Sequence, residues 1–315
     1  MKDHKKAVTL IIQKEFGVSP KTITRMTTGI VNEVYLVSLE DRDVVVRLHQ
    51  ADKTLRGSEK HIPLYRSKGI KVPEILASDY SKTSIPFYYQ ILSKIDGKDI
   101  GLVIADLSRQ QLKVIAKEIA SIFKKLHSIP TNGKFGYVYA EEMDLESSWT
   151  AEMQDRVKTI KERGTKTGVT DEHLLSDLDT VMDEYSAYFD SVPSEYYYDD
   201  ICSKNIMIHE GVFQGLVDVD GAMHGDYLEA VGRIKASWYG TSYGEFYSDA
   251  VMNALGLDSS QRKVVTMYAF MNSLYWLCEI GIKFNENTST EIDWKAVEWN
   301  KERINSILSE LKKTE

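Results

Sequence analysis

The sequence predicts an α+β fold of two unequal lobes, a small β-rich one followed by a large, mostly helical one. Three observations carry this. Strand-like runs are concentrated in the first third of the 315 residues. From Ser108 onward, apolar residues recur at three- and four-residue steps, the period of helices. One further hairpin, around 206–217, is set into the helical part, an order of elements that fits α+β layering. The length allows a large core and suggests two lobes, divided as 1–93 and 98–315 with a hinge at 94–97.

Taken in order, residues 3–16 read as an amphipathic helix with Ala7, Leu10, Ile11 and Phe16 near one face and Gly17 as its stop. Glu33–Val37 and Asp43–Leu48 read as strands of a hairpin turned at Glu40, Asp41 and Arg42. Before them lies the loop 27–32. Its Gly29 could let backbone amides approach a phosphate, or it could be a plain turn. Arg47, after three valines, either snorkels to the surface or points into a cleft toward phosphate oxygens. Glu59 falls in a helix expected over 58–67, where Pro63 predicts a late start or a kink. A strand over 85–93 runs into the connector Lys94-Ile95-Asp96-Gly97. Ser108 with Gln111 fits a capping box for the helix that follows. Helices are then expected over 145–163 and 171–190, with a loop at Gly164 and Gly168. Further helices are expected near 227–239, 243–255, 259–284 and 291–312.

Composition excludes several classes. At 43% hydrophobic and 27% charged, the chain is an ordinary folded one. A net charge of −8 argues against a nucleic-acid surface and suits a cationic small substrate better. Two cysteines, Cys202 and Cys278, are too few for a disulfide framework or a zinc site of the usual spacing, and point to a reducing cytoplasm. The basic N-terminus leads into a run soon broken by Gln13, Lys14 and Glu15, so no signal peptide is expected. The most apolar stretch, 264–282, carries Asn272, Ser273 and Glu279 and reads as a buried helix rather than a membrane span.

The chemistry is concentrated in 197–221. Asp200 is followed by Asn205 five residues later and by Asp218 thirteen beyond that, each beside a short apolar run. Asp-x-x-x-x-Asn…Asp is the layout of a kinase active site, in which one carboxylate faces the attacking hydroxyl while the amide and the second carboxylate hold magnesium. Four intervening residues let Asp200 and Asn205 flank one cleft, and Asp218 arrives on the return strand of a hairpin. The same letters also describe an Asp-rich turn.

Together these segments resemble the aminoglycoside phosphotransferase and choline kinase-like group, which shares the protein-kinase fold. Gly29, Asn32 and Tyr35 match its glycine-loop pattern, Val44-Val45-Val46-Arg47 its strand ending in a basic residue, and Lys71–Leu76 its Pro-containing link. Leu126-His127 matches its Leu-His pair, and Gly225-Asp226 its late Gly-Asp. The resemblance covers about residues 20–240. It implies Asp200 as the catalytic base, Asn205 and Asp218 as magnesium ligands, and Arg47 with its partner Glu59 on the nucleotide phosphates beneath Gly29. It also places Ser93 and Ile95 on the adenine edge. Where the group reads His-Gly-Asp, this chain reads Tyr198-Asp199-Asp200, so two carboxylates adjoin, and the spacing to Asn205 selects Asp200. The implied reaction is transfer of a γ-phosphate from ATP (or GTP), with Mg²⁺, to a hydroxyl of a small molecule, with no membrane or nucleic-acid partner, by a monomer or homodimer. The acids Glu195, Asp226, Glu229, Glu245, Asp249 and Glu279 suit an aminoglycoside-type amine. The 18 tyrosines equally allow a stacked sugar or macrolide, and choline and ethanolamine are further acceptors of the group. The altered Tyr198-Asp199 also admits a nucleotide-binding pseudokinase that acts as an interaction module.

Overall fold

In the computed structural model, residues 4–27, 29, 32–141, 145–285 and 287–313 are described. Helix α1 (Lys5–Phe16) ends at Gly17, whose left-handed backbone lets its N–H close on Gln13. The early strands are β1 (Thr22–Met26), β2 (Glu33–Ser38), β3 (Asp43–His49), β4 (Ile75–Asp79) and β5 (Tyr88–Ser93). They form one antiparallel sheet in the order β1-β2-β3-β5-β4. Alternation along β3 decides what faces what. Val44, Val46 and Leu48 join Val8, Ile11 and Ile12 of α1 in a small core. Arg47 and Val45 point to the other face. Each fully buried aliphatic of this kind contributes roughly 1.5–3 kcal/mol.

That other face meets α2 (Lys53–Ser67). The helix starts five residues earlier than its sequence suggests and continues through Pro63. Leu55, Ile62 and Tyr65 are fully buried along it, and packing of that stripe outweighs the hydrogen bond that proline removes. Ile62, Tyr65, Ile70, Val72 and Leu92 belong to the larger core, so α2 and the link after it are packed on the helical part.

Past the connector come β6 (Lys98–Asp99), α3 (Ile100–Val103) and α4 (Arg109–His127), the last opened by the expected Ser108–Gln111 capping box. After β7 (Gly136–Val138), α5 (Trp149–Thr167) runs through Gly164 instead of ending there. A side chain at 164 would strike Thr170, so this glycine serves a close approach within the helix, and Gly168 caps it. The next expected helix is divided at Tyr185 into α6 (Glu172–Glu184) and α7 (Ser186–Ser191). The short strands β8 (Glu195–Tyr197), β9 (Ile206–His209), β10 (Val212–Leu216) and β11 (Ala222–Gly225) follow. They form two sheets, β10-β9-β6 and β7-β11-β8. Helices α8 (Leu228–Ser237), α9 (Ser242–Leu255), α10 (Ser259–Leu277) and α11 (Trp294–Lys313) close the chain. Among the described residues, no helix is long and apolar enough to cross a membrane.

Candidate active site

The β9–β10 hairpin turns through Glu210 and Gly211, both at positive φ, as a two-residue turn matched to the strand twist requires. The hairpin returns the chain to the loop that precedes it. The Val217 amide donates to the Asn205 carbonyl (2.9 Å), clamping the 200–205 loop to the 217–220 turn. Asn205 donates from Nδ2 to the Asp200 backbone oxygen (3.0 Å) and to Asp200 Oδ2 (2.6 Å). The Cys202 thiol, pushed well up by burial, donates to Asp200 Oδ1 (3.1 Å). Asp218 sits at φ 59°, a left-handed conformation uncommon outside glycine and concentrated at functional sites. Partial desolvation in the crevice and then the neighbouring Asp220 push its carboxyl up, against the pull of Arg47, while the side chain itself stays about half exposed.

Arg47 crosses from β3 to this turn. It donates to Ser58 Oγ (2.9 Å), to Asp218 Oδ1 (3.3 Å) and to Asp220 Oδ2. Burial opposes its charge, but Asp220 and Asp218 more than offset that and raise its pKa. Asp220 also accepts from Ser58 Oγ (2.6 Å) and from Asn32 Nδ2 (3.0 Å). Thr54 in turn donates to Asn32 Oδ1 (3.0 Å). Gly57 makes this approach possible, because a Cβ there would lie 1.8 Å from the Asp220 carbonyl oxygen. The expected Arg47–Glu59 pair does not form. One position along a helix turns a side chain by about 100°, so Ser58 faces Arg47 while Glu59 accepts from Ser78 Oγ (2.7 Å) on β4.

The two residues that the resemblance puts on the adenine edge lie at the end of β5 and in the connector after it. Ser93, placed by resemblance on the adenine edge, donates its amide to the Glu74 carbonyl (2.8 Å) and accepts the Glu74 amide on Oγ (2.8 Å). Its N–H is therefore committed to the β4 side. Ile95 packs over Gly215, where an added side chain would meet its methyl and the Lys71 carbonyl. Gly29 is described, and its carbonyl accepts from Asn285 (3.1 Å) and Asn287 (2.6 Å), whereas residues 28, 30 and 31 of that loop lie outside the described residues.

On the opposite side of Asp200 stands a cluster that sequence reasoning missed. Arg233 of α8 reaches Asp199 Oδ2 (3.2 Å), Asp200 Oδ1 (3.9 Å) and Glu229 Oε1 (2.8 Å). Arg156 of α5 also donates to Glu229 Oε1 (2.8 Å). Burial alone would raise the Glu229 pKa, but Arg233 and Arg156 outweigh it and hold the group near 2. Burial pushes Asp199 up to about 6 against the pull of Arg233. The available signals were two helical glutamates with arginine at i+4, Glu152–Arg156 and Glu229–Arg233. Of the acids expected to greet an amine, Glu229 is thus internally paired. Asp226 is buried as well, accepting from Tyr268 (2.8 Å), Tyr188 and the Leu228 amide.

A family model described as the phosphotransferase enzyme family matches residues 22–264, most of the chain. The chain belongs to the phosphotransferase enzyme family. Comparison with curated proteins gives no match. Among solved structures, the GDP complex of aminoglycoside 2'-phosphotransferase-IIIa is 15% identical at a TM-score of 0.71, covering 98% of this chain and 99% of that one. A thermostable mutant of aminoglycoside phosphotransferase APH(4)-Ia, in ternary complex with AMP-PNP and hygromycin B, is 17% identical at 0.68, covering 96% and 98%. A candidate fructosamine-3-kinase from Haemophilus somnus 129PT is 15% identical at 0.63, covering 96% and 97%. At these identities the likeness establishes the kinase-like fold. In this phosphotransferase, the tyrosine standing in the usual histidine's place has a visible task. The Tyr198 hydroxyl donates to the carbonyls of Val217 (3.0 Å) and Asp218 (3.3 Å), bracing the strained turn.

The donor set fits a magnesium nucleotide. Hard divalent cations take oxygen ligands, and magnesium is commonly held by one or two protein groups plus substrate phosphates. Asn205 commits its amide hydrogens to Asp200, which leaves Oδ1 as the atom that would face a cation, and Asp218 would add a carboxylate whose pKa a cation would lower. Among the described residues, no three His, Cys, Asp or Glu side chains form a metal site by themselves.

Proposed function

We propose that this phosphotransferase moves the γ-phosphate of ATP to a hydroxyl of an aminoglycoside-type acceptor. The observation that carries the reading is the meeting of Asp200, Asn205, Asp218 and Arg47 around one clamped turn. Asp200 orients the hydroxyl and takes its proton as the new O–P bond forms and the bond from the γ-phosphorus to the bridging oxygen breaks, releasing ADP. Asn205 Oδ1 and Asp218 would hold magnesium, which would supply charge neutralisation on the phosphate oxygens. Arg47, kept charged by Asp220, meets the phosphates under the loop of Gly29. Positioning and charge neutralisation then supply most of the acceleration. Residues 1–93 serve as the nucleotide lobe, 94–97 as the hinge, with Ile95 beside the base, and 98–315 as the catalytic lobe. Two buried free thiols suit a reducing cytoplasm.

The test is ATP consumption with and without a panel of aminoglycosides, amines and sugars, read also by mass gain of one phosphate. Acceptor-stimulated turnover is expected, and Asp200→Asn should lower kcat at least about a thousandfold while leaving Mg–ATP affinity within about threefold. Nucleotide binding without turnover on any acceptor would instead make the chain an interaction module. Normal turnover in Asp200→Asn would remove that residue from its role.

A further inference from the structure

Helices α5, α8 and α10 border a cavity of about 260 Å³ beside Asp199. Its charged lining is Glu152, Asp155, Arg156, Asp199, Glu229 and Arg233, so four carboxylates face two guanidiniums. Both guanidiniums are already engaged. Arg156 binds Glu152 (3.2 Å) and Glu229 (2.8 Å), and Arg233 binds Glu229 (2.8 Å) and Asp199 (3.2 Å). An anionic ligand would have to break these pairs, whereas a cation would meet surplus negative charge.

Asp199 differs from the other acids of the cavity. It is 5% exposed, one of its oxygens is held by Arg233, and among the described residues its Oδ1 has no hydrogen-bond partner. A buried carboxylate oxygen left unpaired is costly, and such atoms call for a function. The next residue is Asp200, and Arg233 lies between them, with one nitrogen toward Asp199 and another toward Asp200.

We infer that Asp199 determines acceptor specificity, its Oδ1 receiving an ammonium N–H of a compact amino alcohol, or of one amino-sugar ring, seated in this cavity, while a hydroxyl a few bonds away meets Asp200. This rests on the phosphotransferase reading above and names the chemistry of its acceptor. The volume lies below the roughly 300–1,000 Å³ of pockets that enclose drug-sized ligands, so one ring enters and any remainder of a larger acceptor stays outside. Met153, Met223 and Met271 line the same space and can repack around differing rings.

The experiment measures phosphate transfer from Mg–ATP to ethanolamine, glucosamine and hygromycin B, each beside its N-acetylated form, by mass. Free amines are expected to be phosphorylated, and N-acetylation should lower kcat/KM at least about tenfold, the value of a charge-assisted hydrogen bond. Asp199→Asn, of nearly identical shape, should raise KM for the amine at least about tenfold with kcat within about threefold, and should abolish the preference for the free amine. Mg–ATP affinity, titrated in parallel, should not change. Equal transfer to acetylated and free forms overturns the inference. So does Asp199→Asn lowering kcat with KM and preference intact, or no transfer to any free amine by a protein that binds Mg–ATP. A protein that does not bind Mg–ATP at all fails the phosphotransferase mechanism itself. The acetylation comparison needs only the unmodified chain, so it decides even if Asp199→Asn does not fold.

Discussion

On one side of Asp200 the Arg47 guanidinium binds Ser58, Asp218 and Asp220; on the other, Arg233 binds Asp199, Asp200 and Glu229. The partners of Arg47 come from α2 and the turn after β10, so this cluster ties the small sheet to the large part of the chain. The partners of Arg233 come from α8 and the 199–200 loop, and the cluster continues through Glu229 to Arg156 of α5, wholly within the large part. Arg47 is one cation with two carboxylates at hand. Glu229 is one carboxylate between two cations, and Asp199 beside it keeps an unpaired oxygen. The difference teaches that the same chemistry serves two ends, a bridge between parts of the fold and a socket with one acceptor atom in reserve.

Breaking the hub of the second cluster should have the largest effect. Glu229→Gln leaves Arg156 and Arg233 buried without their shared anion, and removing one partner of a buried pair costs roughly 3–5 kcal/mol. Urea denaturation measures this, and a loss under about 1 kcal/mol would mean that Glu152, Asp199 and Asp200 already suffice.

Two acids of this cluster, Glu229 and Asp199, should also respond oppositely to pH. Glu229 is held near 2, below its ordinary value of 4.5, so its contribution is present above 4.5 and lost as pH falls through about 2. Asp199 is raised from 3.8 to about 6, so its contribution is present below 3.8 and lost as pH rises through about 6. Asp199→Asn should therefore gain stability relative to the unaltered chain between pH 4 and 7, by up to about 3 kcal/mol. Melting curves across that window test it, and a constant difference would contradict the burial of an ionised Asp199.

The bridge should tolerate damage better. Asp220→Asn weakens Arg47's main contact, yet Asp218 remains to neutralise it, so a loss of about 1.5–3 kcal/mol is expected, smaller than for Glu229→Gln. Mg–ATP affinity should fall about tenfold as Arg47 shifts toward Asp218. A greater stability loss than in Glu229→Gln would reverse the comparison.

Much of this was legible in the sequence where signals are local. The periodic run after Ser108, its capping box, and the Asp200–Asn205–Asp218 spacing all depend on neighbours within a few turns, and each has its counterpart in the structure. What depends on packing was hidden. Pro63 and Gly164 read as interruptions because the stripe that buries Leu55, Ile62 and Tyr65, and the contact with Thr170, are tertiary. The strands β7, β8 and β11 are too short to show a period. The Arg47–Asp220 pair joins residues 173 apart, and no pattern in the chain announces it. Arg233 looked like any helical arginine until its three carboxylates were brought to it.

Tyr198 carries the comparison into the backbone. Its hydroxyl holds the carbonyls of Val217 and Asp218, on the turn that both Arg47 and Asn205 use. Tyr198→Phe should cost about 1–2 kcal/mol, and it should lower kcat more than it raises the KM for ATP, since the turn keeps its place but loses its angle. Unchanged kcat would mean that Asp218 needs no brace.

The smallest effect is expected at Glu59, and it separates two accounts of Arg47. If the helix glutamate were its partner, Glu59→Gln would weaken Mg–ATP binding as Asp220→Asn does. In the structure Glu59 accepts from Ser78 Oγ at 2.7 Å, and the Arg47 guanidinium is directed to Ser58 and the two aspartates. A glutamine can still accept from Ser78, so stability should move by no more than about 0.5 kcal/mol, and Mg–ATP affinity by no more than about twofold. Titrating nucleotide into Glu59→Gln and Asp220→Asn side by side decides the matter. Equal weakening in both would return Arg47 to the glutamate and leave Asp220 as a packing residue of the turn.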